Sequence, residues 1–307
     1  MTSGRGPSRA VQGFRAGQWA AGAVPPSVGR GLAEAVAVGL SRLARTPGWK
    51  QRRALLARHL GRVLGPGAPP PASWSMNRLV DRAVASYARY WAESLRLASV
   101  GAAELTAGLV YEHFDRLARG VDAGRGTILV LPHLGGWEWA GAELAATGHT
   151  VSVVVERLEP ADLFDWFTSF REGLGMRVIP AGPGATAACV AALRENHILC
   201  LLSDRLVGGV AGVEVEFFGE RTALPAGPAT LALRTGAVLI PAAVPFAERT
   251  GEHVGVVHDV IDTSRRGSLR HDVGRVTQQM AVAFEELIRS APTQWHLLQP
   301  NWPSDRG

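Results

Sequence analysis

The rhythm of apolar and polar positions changes at residue 127. Upstream, apolar residues recur every three or four positions. Leu32, Val36, Leu40 and Leu43 do so within 28–45, Leu56, Leu60 and Val63 within 50–64, and Val80, Val84, Tyr87, Trp91 and Leu95 within 78–97. That period puts each set on one side of a helix, and a fourth helix is expected over 102–118. Downstream come short unbroken apolar runs. Residues 127–131 read Thr-Ile-Leu-Val-Leu, and further β-type runs cover 151–156, 176–180, 197–203, 213–218, 237–244 and 254–261. Continuous apolar runs mark strands covered on both faces. Helical stretches alternate with them at 136–147, 160–174, 184–195, 226–235 and 271–290. The expected fold class is therefore α/β, with a mixed, largely parallel central sheet flanked by helices and a helical N-terminal layer.

Residues 1–26 are rich in Gly, Ala, Pro and Arg and are expected to be loosely ordered. Residues 27–120 read as the helical layer, with possible membrane contact, and 121–307 as the α/β core, continuous with the helices. The segment 65–71, Gly-Pro-Gly-Ala-Pro-Pro-Pro, reads as a loop.

The 307 residues are 47% hydrophobic and 19% charged, enough for a sizeable core and unlike a disordered chain. Net charge is +5, and the only lysine is Lys50. Arginine favours phosphate and carboxylate partners, so nucleic acid, anionic lipid and coenzyme A phosphates all fit. No zinc-finger spacing or RNP-like run accompanies the charge, which leaves nucleic acid without support. Cys189 and Cys200 both sit in apolar runs and read as small buried hydrophobes; two cysteines do not make a structural zinc site. With no apolar run of about 20 residues and no signal-like start, the chain is expected to be cytosolic, or peripheral on the cytoplasmic face of the plasma membrane.

The sharpest local feature is 131–138, Leu-Pro-His-Leu-Gly-Gly-Trp-Glu. A buried strand runs into His133, two glycines follow, and a helix begins. Ligands gather at the carboxyl ends of strands in such sheets, and a histidine there suits general-base work. Glu138 falls in the helix's first turn, where a carboxylate can bond one ring nitrogen. Gly135 and Gly136 would let a substrate approach the backbone, and the helix N-terminus could face an oxyanion. Taken alone, such a pair is more often a helix cap beside a residue that suits the dipole. At other strand ends stand Glu156 and Arg157, candidates for sugar contacts, and Asp204 and Arg205. Arg171, in a helical stretch, is a candidate phosphate grip, with Arg221 and Arg234 behind it. Trp137 and Trp139 read as either acyl-channel lining or packing.

His133 and Glu138 match an H-x4-D/E pattern. Leu202-Ser203-Asp204-Arg205, the run 212–220, the run 224–237 and Pro292-Thr293-Gln294-Trp295-His296 follow in order. In this order and spacing the set resembles the bacterial lauroyl/myristoyl lipid A acyltransferases, and is most similar to their actinobacterial phosphatidylinositol mannoside branch. The likeness spans about residues 28–302. It implies a membrane-associated enzyme that moves a long fatty acyl chain, palmitoyl in the expected case, from acyl-CoA to a mannose hydroxyl. His133 would be general base and Glu138 its motif partner. A second acidic residue would orient the histidine, with Glu214 the first candidate and Asp204 next. No bound cofactor, metal or covalent intermediate is implied; acyl-CoA is a co-substrate. A lipid A-type or other glycolipid acceptor is the alternative.

Two other classes compete. Gly182-Pro183-Gly184-Ala185-Thr186-Ala187 matches G-x-G-x-x-A after a strand, with Asp204 about 20 residues on, as in NAD(P)-binding oxidoreductases. Pro183 lacks an N–H that a pyrophosphate would want. A non-catalytic lipid-binding module would equally account for the basic helices. No G-x-S-x-G and no P-loop occurs.

Overall fold

The structure is a computed structural model and describes residues 7–43, 47–65, 75–247 and 252–306. Its centre is a seven-stranded sheet. In chain order the strands are β1 (Leu109–Glu112), β2 (Thr127–Leu131), β3 (Val151–Val155), β4 (Arg177–Pro180), β5 (Ile198–Leu202), β8 (Val238–Ala243) and β9 (His253–Val257). Across the sheet they run β1-β9-β8-β2-β5-β3-β4. All neighbours are parallel except β8 and β9. The strands β6 (Gly212–Phe217) and β7 (Glu220–Pro225) form a separate antiparallel hairpin.

Because β2, β3, β4, β5 and β8 point the same way, their carboxyl ends share one edge, and His133 follows β2 there. On one face, Ile128, Val130, Leu199 and Leu239 pack with Phe217, Leu224, Met280, Phe284 and Trp302 into the largest buried cluster. The helices α9 (Ala185–Arg194), α10 (Gly227–Thr235) and α11 (Leu269–Ser290) cover that side. On the other face, Leu129, Leu131, Val151 and Ile240 meet Leu117, Leu144 and Met176. These come from α6 (Phe114–Asp122), α7 (Trp137–Ala146) and the turn after α8 (Ala161–Gly173).

The N-terminal layer comprises α1 (Arg9–Ala23), α2 (Pro26–Leu43), α3 (Pro47–Leu64) and α4 (Met76–Arg96). Helix α4 is its hub, touching α1, α2, α3 and α7. Glu93 on α4 accepts a hydrogen bond from His253 of β9 at 2.9 Å. Helix α3 is tied to the chain's end, where His59 bonds Asp305 at 3.0 Å and Arg62 pairs with it at 2.8 Å.

Two expectations fail locally. Residues 9–23 are helical: Ser8 caps α1, its backbone N–H bonds Asp162, and Phe14 packs on Trp91, Trp166 and Phe167. The stretch 102–118 is not one helix but the short α5 (Ala102–Ala107), strand β1 and the start of α6. Gly108 breaks it: the edge of β9 accepts Leu109–Glu112 as a parallel neighbour, and a Cβ at residue 108 would strike the Trp139 ring. Of the Gly/Pro loop at 65–71, only Gly65 lies within the described residues.

Candidate active site

Strand β2 ends at Leu131 and the chain turns at once into α7. Gly135 makes this turn with φ +66°, and a Cβ there would lie inside the Val244 carbonyl; one at residue 136 would strike the His253 ring. Both glycines therefore admit the protein's own backbone and side chains, not a substrate. Their amides are also engaged, Gly135 N–H on the Gln294 carbonyl at 3.1 Å and Gly136 N–H on that of Val244 at 2.8 Å. Neither is left for an oxyanion.

The turn fixes His133 over the end of β5. His133 Nδ1 lies 2.6 Å from Asp204 Oδ1, and the His133 backbone N–H donates to Asp204 Oδ2 at 3.0 Å. Trp295 Nε1–H donates to the same Oδ2 at 2.7 Å, and Asn301 bonds the Asp204 carbonyl at 3.1 Å. His296 N–H closes the arrangement on the His133 carbonyl at 2.7 Å. Asp204 is fully buried. Burial pushes its carboxyl pKa up, but the His133 charge and these donors outweigh that and hold it below the usual carboxylate value. An ionised carboxylate on Nδ1 requires an N–H there, which leaves Nε2 as the ring's proton acceptor.

The carboxylate against His133 is thus that of Asp204, not Glu214. Glu214 stands on the β6–β7 hairpin, mostly exposed, and pairs with Arg221 at 2.9 Å. Asp204, expected at best as the second choice and otherwise among substrate contacts, holds the position by virtue of its place just past β5, the strand next to β2. The same engagement argues against the dinucleotide reading, because a carboxylate holding His133 is not free for a ribose. The strand–loop–helix context does occur around 182–187, between β4 and α9.

Glu138 also differs from expectation. Its buried carboxylate makes a two-pronged ion pair with Arg171 of α8, through Nε at 3.2 Å and Nη2, and lies 3.5 Å from the Tyr90 hydroxyl. Arg171 is therefore neutralised inside the protein instead of free for a phosphate. Burial lowers the pKa of its guanidinium, but Glu138 more than offsets this and raises it. Glu156 and Arg205 meet each other at 3.3 Å on the carboxyl edge of the sheet, and Arg157 bonds the Ala181 carbonyl at 3.2 Å. All three remain near enough to solvent to meet a substrate.

Between α7 and the sheet lies an apolar cavity of about 250 Å³. It crosses the strands from Tyr111 on β1 through Gly255, Ala242, Leu131 and Cys200 to Val153 on β3. Its lining residues are thus drawn from a stretch of sheet five strand spacings wide, roughly 24 Å at 4.8 Å each. Trp137 lines it and also packs edge-on against His133, with ring centroids 5.4 Å apart. Trp139 instead stacks on His253 and donates to the Leu105 carbonyl. The ion pair of Glu138 and Arg171 forms part of the cavity wall. Cys189 is buried as expected, whereas Cys200 faces this cavity, and burial pushes its thiol pKa up to about 12.

Residues 15–304 match the bacterial lipid A biosynthesis acyltransferase family. The chain belongs to that family. It is 37% identical over 297 residues to a phosphatidylinositol mannoside acyltransferase of Mycolicibacterium smegmatis, covering 95% of this chain and 91% of the relative. The protein of the same name from Mycobacterium tuberculosis is 37% identical over 255 residues, covering 81% of this chain and 77% of the relative. Three residues reach the site without any sign of it in the sequence: Trp295 and Asn301 at Asp204, and Tyr90 at Glu138. Trp295 was quoted only as part of a tail pattern. A tryptophan near the chain end carries no local sign that it reaches a carboxylate 91 residues away.

Proposed function

We propose that this acyltransferase moves a long fatty acyl chain, palmitoyl in the first instance, from acyl-CoA to a mannose hydroxyl of phosphatidylinositol mannoside. The observation that carries the reading is the His133–Asp204 pair beside an apolar cavity of about 250 Å³ whose lining runs from β1 to β3. The cavity has the reach and polarity for a long acyl chain, and Trp137 touches both the cavity and the histidine. The acceptor follows from the names of the two mycobacterial relatives.

Chemically, His133 Nε2 takes the proton of the sugar hydroxyl as its oxygen attacks the thioester carbonyl. Asp204 stabilises the imidazolium that forms. The tetrahedral oxyanion collapses, the C–S bond breaks, and the thiolate leaves with the proton returned from His133. The ester forms directly, with no covalent enzyme intermediate. The reaction takes place at the cytoplasmic face of the membrane, where donor and glycolipid meet.

The test is thiol release from palmitoyl-CoA with and without a phosphatidylinositol mannoside, for wild type and His133→Ala. Acceptor-dependent release that vanishes in the folded variant is expected. Full release by the variant would remove His133 as base, and release indifferent to acceptor would remove the glycolipid.

A further inference from the structure

The reaction proposed above develops an oxyanion on the thioester carbonyl oxygen, and the glycines of the turn before α7 supply no donor for it. The Gly135 and Gly136 amides already serve the Gln294 and Val244 carbonyls. A donor has to lie beside His133, where the hydroxyl attacks, reach the cavity that receives the acyl chain, and carry no partner of its own. Most polar groups on the cavity wall fail one of these conditions. Arg171 spends two nitrogens on Glu138 and packs its guanidinium over the Phe167 ring, 5.6 Å from the centroid. The Tyr111 hydroxyl donates to Glu143 at 2.7 Å, and the buried Tyr90 is turned to Glu138. Trp91 packs among Phe14, Tyr87 and Phe167.

Trp137 satisfies all three. It is the first residue of α7, lines the cavity, and stands edge-on to His133 at 84°, with ring centroids 5.4 Å apart. Tyr90 stacks on it at 4.1 Å and His296 flanks it at 5.8 Å, which fixes the indole. Its Nε1–H meets no acceptor among the described residues, yet it is not sealed in the core as the unpaired His296 Nδ1 is. Trp139, two positions on, spends the same group on the Leu105 carbonyl at 2.9 Å. An indole N–H donates and never accepts, so it suits an oxygen that gains negative charge. Being neutral, it also carries no charge into the apolar wall. We propose that the Trp137 indole N–H donates to the thioester carbonyl oxygen and holds the oxyanion while His133 takes the hydroxyl proton, which makes Trp137 a catalytic residue. No proton leaves the indole. The hydrogen bond tightens as C=O becomes C–O⁻ and relaxes when the C–S bond breaks and C=O re-forms. The inference rests on the acyl-transfer reading and on no particular acceptor.

The experiment compares wild type with Trp137→Phe, which keeps a ring against His133 and Tyr90 but has no N–H. Thiol release from palmitoyl-CoA is followed with phosphatidylinositol mannoside and with water alone as acceptor, over a range of pH. The variant's kcat should fall about 10²-fold, and by a similar factor in both arms, because both pass through the same oxyanion. Its Kd for palmitoyl-CoA, its melting temperature and the midpoint of its pH profile should stay at wild-type values. Benzothienylalanine at position 137, with sulfur in place of the N–H, keeps the whole bicycle and should show the same loss even if phenylalanine disturbs packing. Trp139→Phe should keep its kcat. A kcat within about threefold of wild type in both replacements at position 137 would overturn the proposal. So would a loss that comes with a displaced pH midpoint, because Trp137 would then act through His133, or one matched by weaker palmitoyl-CoA binding, because packing alone would explain it. A wild type that passes acyl groups to water and to no glycolipid would remove the acceptor named above and leave the Trp137 comparison intact. One that cleaves no acyl-CoA would overturn the acyl-transfer reading and this proposal with it.

Discussion

Replacing Asp204 by asparagine exchanges one oxygen for an NH2, and the structure says which one. Oδ2 accepts two N–H bonds, from the His133 backbone and from Trp295, so the amide oxygen must stay there. The NH2 then falls at the Oδ1 position, 2.6 Å from His133 Nδ1. Two N–H groups cannot face each other at that distance, so the imidazole switches tautomer and protonates Nε2 instead. The ring keeps its place and loses its ability to accept a proton from the substrate. General-base help is worth about 10²–10⁴-fold, or about 2.7–5.5 kcal/mol of barrier. We expect kcat for acyl transfer to fall in that range while the melting temperature moves only a few degrees, because size and hydrogen-bond count are nearly preserved. The assay is acceptor-dependent thiol release at saturating donor, alongside thermal unfolding. A folded Asp204→Asn protein with kcat within about threefold of wild type would refute the claim that the carboxylate sets the tautomer.

Four further outcomes follow from the same geometry. Glu214→Gln removes an exposed partner of Arg221 and should leave kcat and stability within experimental scatter, a surface pair being worth about 0–1 kcal/mol; a loss like that of Asp204→Asn would restore Glu214 as the orienting acid. Arg171→Met strands the Glu138 carboxylate beside an apolar cavity and should cost about 3–5 kcal/mol in urea unfolding, with much of it recovered in the Glu138→Gln/Arg171→Met double variant; additive losses would contradict a coupled pair. Gly135→Ala forces a Cβ into the Val244 carbonyl and should give little folded protein, whereas Gly274→Ala, within α11 and with nothing near its missing Cβ, should express normally. Asp272 binds the Arg266 and Gly267 amides and Arg265; burial acts upward on its pKa, but these partners win and set it at about 2. Its folded value lies below its unfolded one, so its contribution is complete above about pH 4 and is lost as pH falls through 2. Asp272→Asn should flatten the wild-type loss of urea resistance across that window.

Fold class was legible in the sequence because the apolar runs of β2, β5 and β8 are continuous and a doubly covered strand needs nothing else to announce it. Strand β1 was not legible: Leu109–Glu112 is an edge strand with the polar-apolar look of a helix end, and only the exposed edge of β9 makes it a strand. His133 was legible from the strand-to-helix turn and the family pattern. Its partner was not, because Asp204 follows one strand-like run, Glu214 lies within another, and sequence distance does not say which strand lies beside β2. Sheet order decides it: β5 is the neighbour of β2, while β6 pairs only with β7. Helix α2 turns its apolar stripe of Leu32, Val36, Leu40 and Leu43 outward, and its direction was missed for a related reason. Periodicity locates an apolar stripe but not whether it faces in, and here the polar side has Glu93 and Asp81 waiting on α4.

The two members of the H-x4-E pattern do different physical work, and their spacing explains why. His133 lies in the turn before α7 and points across β2 to Asp204; Glu138 lies within the first turns of α7 and points across the cavity to α8. One spacing therefore fixes two things at once, the histidine paired with Asp204 and the roof over the apolar cavity. The roof matters because a helix standing off a sheet around an empty channel has lost packing on one face. An ion pair buried at its rim holds α7 to α8 by a directional bond that does not fill the space an acyl chain would need. A hydrophobic substitute of the same size could hold the helices as well but would do so by occupying that space. The pair thus holds α7 to α8 beside the histidine without filling the cavity, and the family pattern joins that histidine to the cavity wall.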